Sequence, residues 1–192
     1  LVDAPVLWSI ALRYFIISDM HGQPSRYDEN FFYWLDKNSK SQPLVAICTI
    51  HVDDLVLASS KKWMAETYDL FLKKFGKVKR QFLPFTNIGM EYSRTKLGGI
   101  KLTQVDYAKG LKAVALPDNK SQPNKALTPS EVTTLRGGIG SVLFLCLTRR
   151  DLLYDLVVLQ TKVKDAVQEQ LIECNRIIMA AKRHVDRGLI FE

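Results

Sequence analysis

The stretch Leu44-Val-Ala-Ile-Cys-Thr-Ile-His-Val-Asp53-Asp54-Leu-Val-Leu-Ala58 sets two adjacent acids inside an apolar run. Val45 to Val52 is rich in β-branched side chains and carries no carboxylate, and Leu55 to Ala58 is again apolar. The pattern predicts two short buried strands that meet at the acids. Burying neighbouring carboxylates is costly unless cations neutralise them. Adjacent Asp side chains at a strand–turn–strand tip make a hard, oxygen-rich site suited to Mg²⁺. The same residues also fit a surface turn with solvated acids, since Asp favours turns. Two-residue hairpin turns prefer Asn-Gly or Asp-Gly, which accept positive φ, so Asp-Asp is a poor turn pair. Both readings stand on these residues alone.

Upstream, Leu7, Trp8, Ala11, Leu12, Phe15 and Ile16 have helical spacing, and His21-Gly22-Gln23-Pro24 ends the run. Phe31 to Leu35 reads as a strand and Asp36 to Pro43 as a polar turn. The first part is therefore a helix on an antiparallel sheet.

Downstream, Ser60 is placed to cap a helix that runs to Phe75 and stops at Gly76, with Met64, Tyr68, Phe71, Leu72 and Phe75 on one face. Ile88, Met90 and Tyr92 alternate as one strand, and Leu97-Gly98-Gly99 turns into Ile100-Lys-Leu-Thr103. Thr103-Gln-Val-Asp106 reads as a capping-box start for a short helix. Residues 117–130 have linker composition. Helices are expected near 131–147, 151–164 and 166–186. The last places Leu171, Cys174, Ile178, Ala181 and Val185 on one face.

A chain of 192 residues that is 47% hydrophobic can bury a core, as one domain or two small lobes. The net charge of +7 is uneven. Residues 61–112 hold 12 of the 27 basic residues against four acids, Glu66, Asp69, Glu91 and Asp106. Such a stretch suits a surface that grips nucleic-acid phosphates, or is an ordinary solvated Lys-rich face. Cys48, Cys146 and Cys174 are widely spaced in apolar runs and suit buried reduced thiols. No signal peptide is seen, and Gly137 to Thr148 is too short to span a bilayer. The expectation is an intracellular chain, cytoplasmic or nuclear, with no membrane partner.

His51-Val52-Asp53-Asp54 resembles the Tyr-x-Asp-Asp signature of reverse transcriptases, in the Tyr-Val-Asp-Asp form of Ty1/copia-type retrotransposons. Other segments resemble that family in order. Leu1-Val2-Asp3-Ala4-Pro5-Val6-Leu7-Trp8 is similar to its Gly-Leu-Lys-Gln-Ala-Pro-x-x-Trp segment, and Ser25 to Phe32 to its Ser-x-x-Asp-x-x-Leu-Phe pattern. Gly89 to Tyr92, Gly99 to Tyr107, Thr128-Pro129, Gly140 to Leu145, Thr148-Arg149-Arg150-Asp151 and Gly188 to Phe191 follow. His51 stands where the family has Tyr, Arg150 where it has Pro, and Val2-Asp3 where it has Lys-Gln.

The resemblance implies an α+β fold: a partial polymerase palm over 1–60 and a basic, thumb-like α+β region over 61–116. A linker over 117–130 and a helical, connection-like lobe over 131–192 would follow. It implies RNA-directed DNA polymerase chemistry with two Mg²⁺ ions, for which Mn²⁺ can substitute. Asp53 and Asp54 would be the catalytic metal ligands. Asp53 is expected to aim inward and Asp54 to sit at the rim, because adjacent strand residues point to opposite faces. His51, two residues before Asp53 and so on its face, would position the primer with Val52, or be a packed, hydrogen-bonded ring. Lys73, Lys74, Lys77, Lys79 and Arg80 are candidates for nucleic-acid contact, or simply cations near a helix C-terminus that complement its dipole. Arg149 and Arg150 would hold a backbone phosphate or be solvated. The partners implied are an RNA template, a DNA primer or RNA–DNA hybrid, and deoxynucleotides. The segment bearing the family's first catalytic Asp does not precede the motif here, and neither Asp3 nor Asp19 matches it. The expectation is therefore a polyprotein fragment, inactive without upstream palm and fingers, with a ribonuclease H region downstream. The alternative is a non-enzymatic nucleic-acid-binding or decayed remnant.

Overall fold

The computed structural model describes residues 4–117 and 122–192, with Ala4 and Pro5 described by backbone only. Leu1-Val2-Asp3 and part of the expected linker, 118–121, lie outside the described residues. The chain forms two compact units, Leu1–Arg80 and Gln81–Glu192. Both are α+β, and each has a four-stranded antiparallel sheet.

In the first unit, α1 (Ala4–Tyr14) continues as a π-helical turn over Phe15–Asp19. The sheet follows as β1 (Gln23–Pro24), β2 (Phe31–Leu35), β3 (Leu44–His51) and β4 (Asp54–Ser59), in that spatial order. Ala46, Cys48 and Ile50 alternate along β3 into a core with Leu12, Phe15 and Ile16. Phe32 and Trp34 of β2 pair with Cys48 and Ala46 and so share that face. The expected pair of buried strands is thus only partly present. β3 buries one face, whereas no residue of β4 is fully buried, because β4 is an edge backed by one neighbour.

α2 (Lys61–Phe75) starts and stops where its caps place it. Ser60 Oγ accepts the Trp63 N–H at 3.2 Å, and Gly76 takes a left-handed φ of 74°. Phe71 and Phe75 each meet the Phe15 ring edge-on at 5.0 Å. Thr67 is buried on this face, while Leu72, expected here, is 38% exposed. It lies about 100° around the helix from Phe71 and turns off the packed stripe.

The second unit holds β5 (Phe85–Asn87), β6 (Met90–Arg94), β7 (Ile100–Thr103) and, from the far end of the chain, β8 (Leu189–Phe191). The single strand expected through Ile88 is instead a hairpin. Ile88 and Gly89 form a two-residue turn with φ of 49° and 69°, the doubly left-handed pattern that matches strand twist. The expected capping box of α3 (Val105–Gly110) is also replaced. Glu91 of β6 accepts the Thr103 hydroxyl at 2.7 Å and the Asp106 N–H at 3.1 Å.

α4 (Pro129–Leu145), α5 (Leu153–Thr161) and α6 (Gln168–Arg183) complete this unit. A capping box between Thr128 and Glu131 opens α4. Leu171, Cys174, Ile178 and Ala181 of α6 are wholly buried, in one core with Ala108 and Leu111 from the α3 region. Because β8 pairs with β7 and α3 shares the helical core, sheet and helices here form one unit. The division falls after Arg80 rather than at 60 and 116, since α2 packs its aromatic face into the first core. The expected linker is anchored where it is described. Leu127 N–H donates to Ala166, and Gln168 N–H donates to Lys125, each at 3.0 Å.

Cys48, Cys146 and Cys174 are free and buried. Burial pushes the Cys48 thiol up to about 12 and that of Cys174 to about 11, which keeps both protonated and inert. Among the described residues, no helix is long and apolar enough to cross a membrane.

Candidate metal centre at the β3–β4 hairpin

His51 is paired directly with Asp54 across the hairpin, so the two turn residues are Val52 and Asp53. Val52 takes a left-handed φ of 55°. For a β-branched side chain this conformation costs on the order of 1–3 kcal/mol. The acids are therefore staggered, with Asp53 in the turn and Asp54 opening β4.

The faces follow from the register. Ile50 points into the core, so His51 points away from α1 and α2, and Asp54 stands opposite it on the same outer face. The expected sharing of a face by His51 and Asp53 is replaced by one between His51 and Asp54, because the turn breaks the alternation after His51. His51, Val52, Asp53 and Asp54 are all exposed. The carboxylates are thus not desolvated, and the cost of burial that favoured a metal in the sequence does not arise.

Neither the Asp53 nor the Asp54 side chain has a hydrogen bond or ion pair among the described residues. Of the two other acids weighed, Asp3 lies outside the described residues and Asp19 is held by Lys74 at 3.3 Å. Among the described residues, no three His, Cys, Asp or Glu side chains come together to hold a metal. Two exposed carboxylates on one hairpin could supply part of the oxygen shell of a Mg²⁺ ion. That ion keeps several waters and commonly takes only one or two protein carboxylates.

The basic candidates separate. Lys73, Lys77 and Lys79 are exposed around the C-terminal end of α2. Lys74 is tied to Asp19, and the Arg80 guanidinium lies 3.9 Å from the centre of the Tyr68 ring. Arg94, Lys96, Lys101, Lys109 and Lys112, from the same basic stretch, belong to the second unit.

Arg149 is corrected outright, since it is neither solvated nor available to a phosphate. Its side chain is 2% exposed, and its donors reach Asp151, Ala181 and His184 inside the protein. Arg150 is exposed. The role of Glu91 as the cap of α3 had no local signal, because its partners lie 12 and 15 residues away. Compared with protein-family models, with curated proteins and with solved structures, the chain finds no match.

Proposed function

We propose that this chain is a segment of a Ty1/copia-type RNA-directed DNA polymerase, in which the β3–β4 hairpin presents two of the metal-binding carboxylates. The observation that carries the reading is the hairpin itself. Asp53 and Asp54 sit unengaged and exposed at the end of an antiparallel pair whose other face is packed on helices. It is the position that the resemblance assigns to the Asp-Asp motif.

Asp53 and Asp54 would hold Mg²⁺. Bound ions would activate the primer 3′ hydroxyl and neutralise the leaving pyrophosphate. His51, on the outer face beside Asp54, would support the primer terminus, with Val52 fixing the turn. Template RNA, primer and deoxynucleotide complete the substrates, and exposed Lys73, Lys77 and Lys79 would contact phosphates. A further carboxylate would have to come from another segment of the same polymerase, so the chain by itself is expected to be inactive.

Primer extension tests this. Residues 1–192 should not extend a primer with Mg²⁺, template and nucleotides. A longer polymerase that also supplies the upstream palm and fingers should do so. Asp53→Asn in that protein should remove nearly all activity while primer–template binding persists. Indifference to Asp53→Asn would overturn the assignment. Binding without any activity in the longer protein would favour the nucleic-acid-binding remnant.

A further inference from the structure

We infer that the outer face of α1 is a self-association surface, on which a second copy of this chain docks helix to helix. α1 and the π-helical turn that continues it are apolar on two opposite sides. Leu12, Phe15 and Ile16 face the core of the first unit and are buried. Val6, Leu7, Ile10, Tyr14 and Ile17 face away and are between 42% and 64% exposed. A helix that is apolar all round is ordinarily covered all round. Here one side has no cover among the described residues. Single exposed apolar side chains are common, whereas five along one helix make a patch of the kind that marks an interaction surface.

The composition of the face selects the occupant. Leu7, Ile10, Tyr14 and Ile17 follow at spacings of three, four and three, the seam spacing of helices packed side by side. The stripe carries no charge. The two charged side chains of this stretch are engaged elsewhere, Arg13 by Glu29 at 3.0 Å and Asp19 by Lys74 at 3.3 Å. An acidic or basic partner, nucleic acid included, finds no complementary group on it. Two copies, by contrast, can meet across a two-fold axis with no like charges opposed. The area suffices for such a pair. Five side chains about half exposed offer roughly 500 Å² per copy, so about 1,000 Å² in the pair, the lower limit for a specific interface. An interface of that size gives a dimer that forms and dissociates with concentration. Self-association requires neither metal nor catalysis at the β3–β4 hairpin.

Sedimentation velocity of residues 1–192 over a loading series is the test. The chain should shift from monomer near ~1 μM to dimer near ~100 μM. Ile10→Glu sets a carboxylate in the middle of the stripe and should weaken association about tenfold or more, as should Tyr14→Glu. Both positions are exposed, so the core is left intact, and an unchanged far-UV circular dichroism spectrum checks this. Leu97→Glu, at an exposed apolar residue between β6 and β7, should leave the dimer as it was. A dimer that survives both Ile10→Glu and Tyr14→Glu would overturn the assignment of this face. A chain that stays monomeric at every loading would overturn self-association. If Ile10→Cys were then shielded from alkylation only in the longer polymerase, the face would belong to another segment of that protein.

Discussion

Arg149 closes the C-terminal end of α6 from inside the protein by donating from Nη1 to the carbonyl oxygen of His184 at 2.7 Å. The same nitrogen reaches the Ala181 carbonyl at 3.1 Å, and Nε and Nη2 each hold an Asp151 oxygen at 2.8 Å. Helix ends leave carbonyls without intrahelical partners, and a guanidinium with its donors in a fixed fork satisfies two of them while its charge complements the dipole.

Arg149→Met should therefore destabilise the protein by about 2 kcal/mol, the scale for leaving the Ala181 and His184 carbonyls without their donor. Arg150→Met, at the exposed neighbour, should stay within about 0.5 kcal/mol. Urea denaturation of the two variants checks the contrast. Equal losses would contradict the buried role of Arg149.

Glu91 links pH to the stability of the second unit. Burial alone would raise its carboxyl, but hydrogen bonds from the Asp106 N–H, the Thr103 hydroxyl and the Val105 N–H, with the Lys109 charge, together bring it below the ordinary 4.5. A depressed carboxylate stabilises the fold above its unfolded pKa, and that stability is lost as pH falls through the folded value. Glu91→Gln should cost about 1 kcal/mol at neutral pH. The gap to the parent should shrink as pH falls below 4.5. A gap that stays constant across an acid titration of stability would rule out the linkage.

Val52 is the strained residue of the hairpin, with its φ of 55°. Val52→Gly removes the Cβ that opposes this conformation, while glycine adds freedom to the unfolded chain. The two effects should leave a net stabilisation of about 1 kcal/mol. Thermal denaturation would show a raised midpoint. A lowered one would mean that the turn is not held in the left-handed region.

Nucleic-acid affinity of the first unit should depend on a subset of its cations. Lys73, Lys77 and Lys79 are exposed, whereas Lys74 is engaged by Asp19 and Arg80 lies on Tyr68. Replacing the first three with Gln should reduce the slope of log affinity against log salt by about 0.9 for each duplex phosphate that the protein no longer neutralises. Lys74→Gln should change it little. An unchanged slope in the triple variant would show that this face is only solvated.

The local parts of this fold are legible in the chain because they depend on neighbours in sequence. Ser60 and Gly76 bound α2, since a hydroxyl and a glycine act within one helical turn. The stripe Leu171, Cys174, Ile178 and Ala181 on α6 and the strand–turn–strand around Asp53 are set by periodicity alone. What the tertiary structure decided involves partners far apart in sequence. Arg149 is drawn inside by carbonyls 32 and 35 residues away, and Glu91 caps a helix across a β-ladder. At the hairpin the deciding feature is the register. The pairing of His51 with Asp54 assigns Val52 and Asp53 to the turn and sets the second acid, not the first, opposite the imidazole. Period-two alternation predicts faces only within an unbroken strand, and a turn resets it, so that choice belonged to the fold.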